Sequence, residues 1–431
     1  MKKVFLYSAL LVVGLGLSQI APSILGANYE LITHVIKMLT MAALAFIMIH
    51  VGYEFEIDKS RLRQYGWDYL VAATAAGFPW VFCAVYFVLV FYASADWGAW
   101  DAWRESLLAA RFAAPTSAGV LFSMLAAAGL AATWMFRKTR ILAIFDDLDT
   151  VLLMIPLKMM IVGLRWQLGV IIVIMFVLLW LAWRHLHMAR IPVTWPWVVG
   201  YSLTIMLACE GVYLASKIVD EVVPVHIEVL LPAFVLGCII RKPGEHGRAE
   251  VPSPDLHHDD VLERPKEKRV TTIVSACFMV LVGLSMPPVA GLAGSDDLVA
   301  ASDKAMADAY VIPDAEPAPH PSEKQVADRP SMGWGAIAAH VITITVLSNL
   351  GKMFPVLCYR REAHWKHRLA VAVAMFPRGE VGAGVLIISL SYGIGGPMIT
   401  VAMLSLALNL LLTGFFIVAV KRLLGDVPAP A

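Results

Sequence analysis

Long apolar runs recur along the whole chain, at residues 4–24, 31–54, 67–93, 105–129, 139–162, 167–184, 194–218, 225–241, 268–289, 333–357, 369–392 and 396–420. Each is near the roughly 20 residues that a helix needs to cross the hydrocarbon core of a bilayer. A segment in lipid must satisfy its own backbone groups, which leaves helices or a closed barrel. A barrel would show alternating segments of ~10 residues, and the pattern here is of continuous runs. Only 16% of the 431 residues are charged and 59% are hydrophobic, whereas a soluble protein carries about 25% charged residues. The chain therefore reads as an all-α polytopic membrane protein with about twelve transmembrane helices.

The first run follows Lys2-Lys3 and ends among small residues around Gly16 and Ser18, as a signal peptide does; we read it as a retained helix. Orientation follows from the loops. The side holding the N-terminus gathers Lys2, Lys3, Lys59, Arg61, Arg63, Arg137, Lys138, Arg140, Arg184, Arg190, the basic residues of 241–269, those of 360–368, and Lys421-Arg422. The other side holds Arg104, Arg165, Lys304, Lys324 and Arg329. The first side is expected to be cytoplasmic, with both termini inside.

The expected organisation is N-terminal helices over 1–241, with a first core at 105–129 and 139–162. A mixed-charge cytoplasmic linker follows at 242–267, then a helix at 268–289 and an acidic outer loop at 290–332. A second core covers 333–422 and a tail 423–431. In the linker, His257-His258-Asp259-Asp260 has metal-binding chemistry but reads as a solvated polar run. Net charge is +1, so nothing points to nucleic acid. The five cysteines show no ligand spacing, so no disulfide framework, zinc site or cofactor is expected.

One run contradicts its surroundings. "ILAIFDDLDTVLLMIPLKMM" sets Asp146, Asp147 and Asp149 inside a helix-length apolar stretch, about halfway through the bilayer. A charge there costs roughly 2.5–3.5 kcal/mol on insertion scales, and such residues face protein or water and are functional by default. Asp146 and Asp149 share a face at i, i+3, and Asp147 points about 100° away. Like charges this close cannot all ionise cheaply, so the group suits exchange of a proton for a cation. Lys352, in "VLSNLGKMF", is the available counter-ion. Arg111, Lys158, Glu210 and Lys37 read as structural, nearer helix ends or isolated.

Two segments carry helix breakers at mid-span. "RFAAPTSAGVLFSM" holds Pro115, Thr116, Ser117 and Gly119, and "FPRGEVGAG" holds Pro377, Gly379, Gly382 and Gly384 around Arg378 and Glu380. Proline removes a backbone donor, and the freed groups must be satisfied by protein or a wet cavity. Interruptions in corresponding segments of two halves, running antiparallel, are what inverted repeats with a midplane site present. Thr116, Arg378 and Glu380 are placed to compensate the opposed helix ends.

These residues together resemble the cation:proton antiporter superfamily, and more narrowly its bacterial two-aspartate sodium/proton antiporters. "LAIFDDLDTVLL" is similar to that group's aspartate helix, "APTSAGVLFSMLAAAG" to its unwound fourth helix, "NLGKMF" to its lysine helix, "PRGEVGAG" to the second broken helix of related exchangers, and "FMVLVGLSM" to the helix that enters the second repeat. The resemblance spans nearly the whole chain except the two insertions. It departs at Ser117, where the family commonly has aspartate, and at Asp149, an additional acid that stands as a candidate replacement for the missing charge.

The resemblance implies a secondary-active monovalent cation/proton antiporter, not an enzyme, exporting Na⁺ or Li⁺ against H⁺, electrogenic, serving pH homeostasis and homodimeric. Asp147 is the expected carrier of cation and proton. Asp146 binds a proton, shares the transient Na⁺ or pairs with Lys352, Thr116 contributes ligands, Asp149 is a further ion- or proton-binding candidate, and Arg378 and Glu380 set the local field. Alternating access is expected to move the fourth, fifth, tenth and eleventh helices against the remainder. High cytoplasmic pH is expected to favour the ion-receptive form. Competing readings are K⁺/H⁺ exchange, sodium-coupled organic-anion uptake on a similar fold, and a membrane enzyme or sensor. The Asp pair disfavours uptake. No His-rich cluster within the helices or large soluble domain supports the last two.

Overall fold

The computed structural model describes residues 2–55, 62–162, 166–219, 225, 227–241, 265–286, 334–391, 394 and 397–425. Among them the regular structure is helical. The elements are α1 (Lys2–Leu25), α2 (Tyr29–Tyr53), α3 (Leu62–Phe91), α4 (Trp100–Ala110), α5 (Ala118–Ala127), α6 (Trp134–Val162), α7 (Trp166–Arg184), α8 (Trp195–Val219), α9 (Leu230–Ile239), α10 (Pro265–Leu284), α11 (Trp334–Gly351), α12 (Pro355–Cys358), α13 (Trp365–Ala374), α14 (Glu380–Ser391) and α15 (Pro397–Gly425). Among the described residues, eight spans are long and apolar enough to cross a membrane by length and composition, α4 and α5 counting as one. The aspartate helix α6 is not among them, because its charges interrupt every window of spanning length.

Boundaries differ from the sequence reading in two informative places. α6 begins at Trp134, so Lys138 and Arg140, read as loop charges, lie inside the helix and are buried. The helix after the linker begins at Pro265, where Glu267 caps another element by accepting from the Trp195 amide at 2.9 Å. Residues 242–264 and 287–333, with the His257–Asp260 run, lie outside the described residues.

The chain divides into two compact units, the first made of Met1–Thr33, Arg61–Leu164 and Met279–Ala431, the second of His34–Ser60 and Arg165–Phe278. In the first, α3 packs against α11, α6 and α4, while α15 packs against α13, α11 and α1. In the second, α9 packs against α7 and α8. There α2 meets α9 at facing glycines: a Cβ on Gly237 would lie 2.9 Å from the Gly52 Cα. Small residues that let helix backbones touch are the usual contact between helices in lipid. His187, at φ 54°, ties the same unit together through ring contacts of 2.9 Å to the Ile240 carbonyl and 3.2 Å to the Phe55 carbonyl.

Candidate functional site

Both breaker-rich runs are broken in the structure. α4 gives way to a 3₁₀ turn at Arg111–Ala113 and stops, and α5 starts at Ala118 with Ser117 as its extended N-cap. α13 ends at Ala374 and α14 starts at Glu380. The two breaks meet. The Ser117 amide donates to the Pro377 carbonyl at 3.0 Å, and Thr116 Oγ1 donates to the Met375 carbonyl at 3.1 Å. Gly379 allows the approach, since a Cβ there would sit 3.0 Å from Ser117 Oγ.

Each interrupted helix leaves backbone groups that need partners away from water. At the carbonyl ends the partners are cations, as the helix dipole favours. Arg378, fully buried, donates from Nε to the Ala113 carbonyl at 2.9 Å, from Nη2 to the Ser348 carbonyl at 3.0 Å, and from Nη1 to Asn349 Oδ1 at 2.9 Å. Lys352 Nζ donates to the Ala114 carbonyl. At the amide end the partner is an anion: Asp146 Oδ2 accepts from the Thr116 amide at 2.8 Å.

The same Asp146 oxygen lies 2.8 Å from Lys352 Nζ, with both side chains wholly buried. Lys352 also donates to Thr116 Oγ1 at 3.0 Å. Lys352 is positioned by its neighbour. Gly351 abuts α3, where an added Cβ would lie 2.6 Å from the Pro79 Cα, so only glycine lets the end of α11 come this close.

The aspartate face of α6 places the other acids. Asp146 lies roughly 18 Å along the helix from Trp134, at 1.5 Å per residue. Asp147, turned away from that face, is the most exposed of the three at 7%. Asp149 Oδ1 accepts from the Tyr69 hydroxyl at 2.8 Å, and its main-chain carbonyl accepts from Arg111 Nη2 at 2.9 Å. Asp146 Oδ1 and Asp149 Oδ2 have no hydrogen-bond partner among the described residues. Thr116, Asp146, Lys352 and Arg378 are thus gathered at the crossing. Asp149 makes its contacts with Tyr69 and Arg111. Glu380 opens α14, and its side chain lies outside the described residues.

Two participants were missed in the sequence. Arg111, read as structural, is wholly buried beside the aspartate helix. Tyr69 was not singled out. Its only signal is the polar step Asp68-Tyr69 in an otherwise apolar run.

No family model matches the chain, and no curated protein does. Among solved structures it is similar to that of the sodium proton antiporter MjNhaP1 from Methanocaldococcus jannaschii at pH 8, with a TM-score of 0.49 and 12% identity over 95% of this chain and 91% of that one. A likeness of that degree says nothing of what this chain binds.

Proposed function

We propose that the chain is a secondary-active antiporter that exchanges a monovalent cation, Na⁺ or Li⁺, for protons across a bacterial inner membrane. The observation that carries this reading is the double engagement of Asp146 Oδ2, held at 2.8 Å by both the Thr116 amide and Lys352, beside a buried carboxylate oxygen with no partner among the described residues. A buried lysine–carboxylate pair repays its desolvation only when the surrounding hydrogen bonds are complete. Here they are not, so the site holds acceptors in reserve for a small cation.

In this reading Asp147 takes the cation or the proton, and Asp146 takes part when the incoming cation displaces Lys352. Thr116 Oγ1 and nearby carbonyls replace water of hydration. Arg378, which keeps its charge at any working pH, compensates the carbonyl ends. Access alternates between the two faces around this midplane site. Both termini are cytoplasmic, the assembly is a homodimer, and two titrating carboxylates against one cation make the exchange electrogenic.

The test is dissipation of a respiration-generated ΔpH in everted vesicles on addition of Na⁺, Li⁺ or K⁺. Wild type should respond to Na⁺ or Li⁺, and Asp147→Asn should reduce the response by about two orders of magnitude at equal membrane content. Failure of all three cations in wild type ends the antiporter reading; a response to K⁺ alone moves the assignment to K⁺/H⁺ exchange.

A further inference from the structure

Arg111 is unaccounted for by the exchange reading, and its surroundings are unusual. The guanidinium is wholly buried and stands over the Trp80 ring, 4.9 Å from its centroid. That ring is itself fixed by Trp80 Nε1 donating to the Leu107 carbonyl at 2.7 Å. Of the arginine's donors, Nη2 reaches the Asp149 carbonyl, while Nε and Nη1 have no partner among the described residues. Leaving such donors buried is costly, and a guanidinium keeps its charge throughout. Across from it, Asp149 holds one carboxylate oxygen on Tyr69 and keeps Oδ2 without a partner among the described residues. An unsatisfied buried cation and an unsatisfied buried anion on adjoining segments answer each other's charge.

The cluster's charges point the same way. Three acids, Asp146, Asp147 and Asp149, are buried with three bases, Lys352, Arg378 and Arg111. Lys352 is paired with Asp146, and Arg378 is spent on carbonyl ends and Asn349. Arg111 is the remaining base, and its bond to the Asp149 main-chain carbonyl places it beside that acid.

We propose that Arg111 is the resident counter-ion of Asp149, and that this compensation sets the affinity of the site for its cation. The third carboxylate is thereby kept from acting as a further cation seat, and exchange is left to Asp146 and Asp147. The proposal rests on the exchange reading. It replaces the expectation that Asp149 supplies a missing negative charge at the crossing, since the arginine cancels that charge where it stands.

The experiment is a Na⁺ titration of ΔpH dissipation in everted vesicles carrying the full chain, comparing wild type, Arg111→Gln, Arg111→Lys, Asp149→Asn and the Arg111→Gln/Asp149→Asn double variant. Losing the arginine leaves an extra negative charge by the site, so the half-maximal Na⁺ concentration of Arg111→Gln should fall by about tenfold; Asp149→Asn, which strands the arginine, should raise it by a similar factor, and the double variant should return toward wild type. Arg111→Lys should stay near wild type. The maximal response is read separately from the midpoint, because a packing defect lowers the first without moving the second in opposite directions. If Arg111→Gln does not accumulate, Asp149→Asn decides: a raised midpoint supports the proposal, and an unchanged one overturns it. Shifts of the same sign for both single variants, or no shift while exchange persists, also overturn it. Absence of exchange in wild type would instead remove the function proposed above.

Discussion

Among the described residues of the first helical unit, two buried lysine–aspartate pairs are built on opposite principles. Near the start of α6, Lys138 Nζ contacts both oxygens of Asp68 at 3.0 and 3.1 Å, and Tyr359 donates to Asp68 Oδ1 at 2.7 Å. Lys138 also reaches Glu362 at 3.0 Å and lies over the Tyr359 ring. Both carboxylate oxygens of Asp68 are engaged. About 12 Å further along the same helix, Asp146 meets Lys352 through one oxygen, the other having no partner among the described residues. The first pair joins continuous helices and a loop; the second sits where two helices are broken. Burial and distance hardly distinguish them. What separates a structural ion pair from one poised for exchange is whether its hydrogen-bonding capacity is filled.

That contrast breaks down or sharpens under substitution. The largest separation is expected from the two lysines. Lys138→Ala removes a bond from each oxygen of buried Asp68, leaving only the Tyr359 hydroxyl on Oδ1, and should cost about 3–5 kcal/mol, seen as lost yield and a lower melting temperature in detergent. Lys352→Ala should lose less stability, because Asp146 keeps the Thr116 amide, and should instead lower the Na⁺ midpoint by removing the competing internal cation. If both variants lose yield alike and Lys352→Ala leaves the midpoint unmoved, the two pairs do the same job. A smaller effect is expected from Gly351→Ala, which forces α11 from Pro79. Overpacking of this kind costs about 1–3 kcal/mol, and the displaced Lys352 should change the midpoint, while the same substitution at the open Gly335 should not. The smallest concerns Tyr359. Burial, and next the Asp68 carboxylate, push its phenol above the ordinary value of 10.0. The folded state therefore favours the neutral form, and this contribution is present below pH 10 and lost as pH rises beyond it. Tyr359→Phe should flatten the alkaline decline of the melting temperature above that pH, and an unchanged slope would show that the hydroxyl lies outside the transition.

What could be read from the residues alone divides along the same line. The spans, and the breaks at Pro115–Gly119 and Pro377–Gly384, are local: proline, glycine and apolar length act on their own neighbourhood. Asp146, Asp147 and Lys352 stand out because a charge amid apolar residues is conspicuous wherever its partner lies. Arg111 and Asp68 sit nearer the ends of apolar runs, where a charge has an ordinary explanation in water. What makes them buried is packing against residues far along the chain, Asp149 for one and Tyr359 for the other. Lys138 shows the error most plainly: beside Arg137 and Arg140 it reads as a loop charge, and only the continuation of α6 back to Trp134 turns it inward.

The bonds of Arg378 to Ala113 and of Lys352 to Ala114 and Asp146 carry a consequence for biosynthesis. A ribosome delivers α4, α5 and α6 to the membrane long before it reaches positions 352 and 378. Through that interval the nascent first half holds bare carbonyls and an aspartate without its lysine within the lipid. Its assembly must wait for the second half, or be sheltered by whatever inserts it.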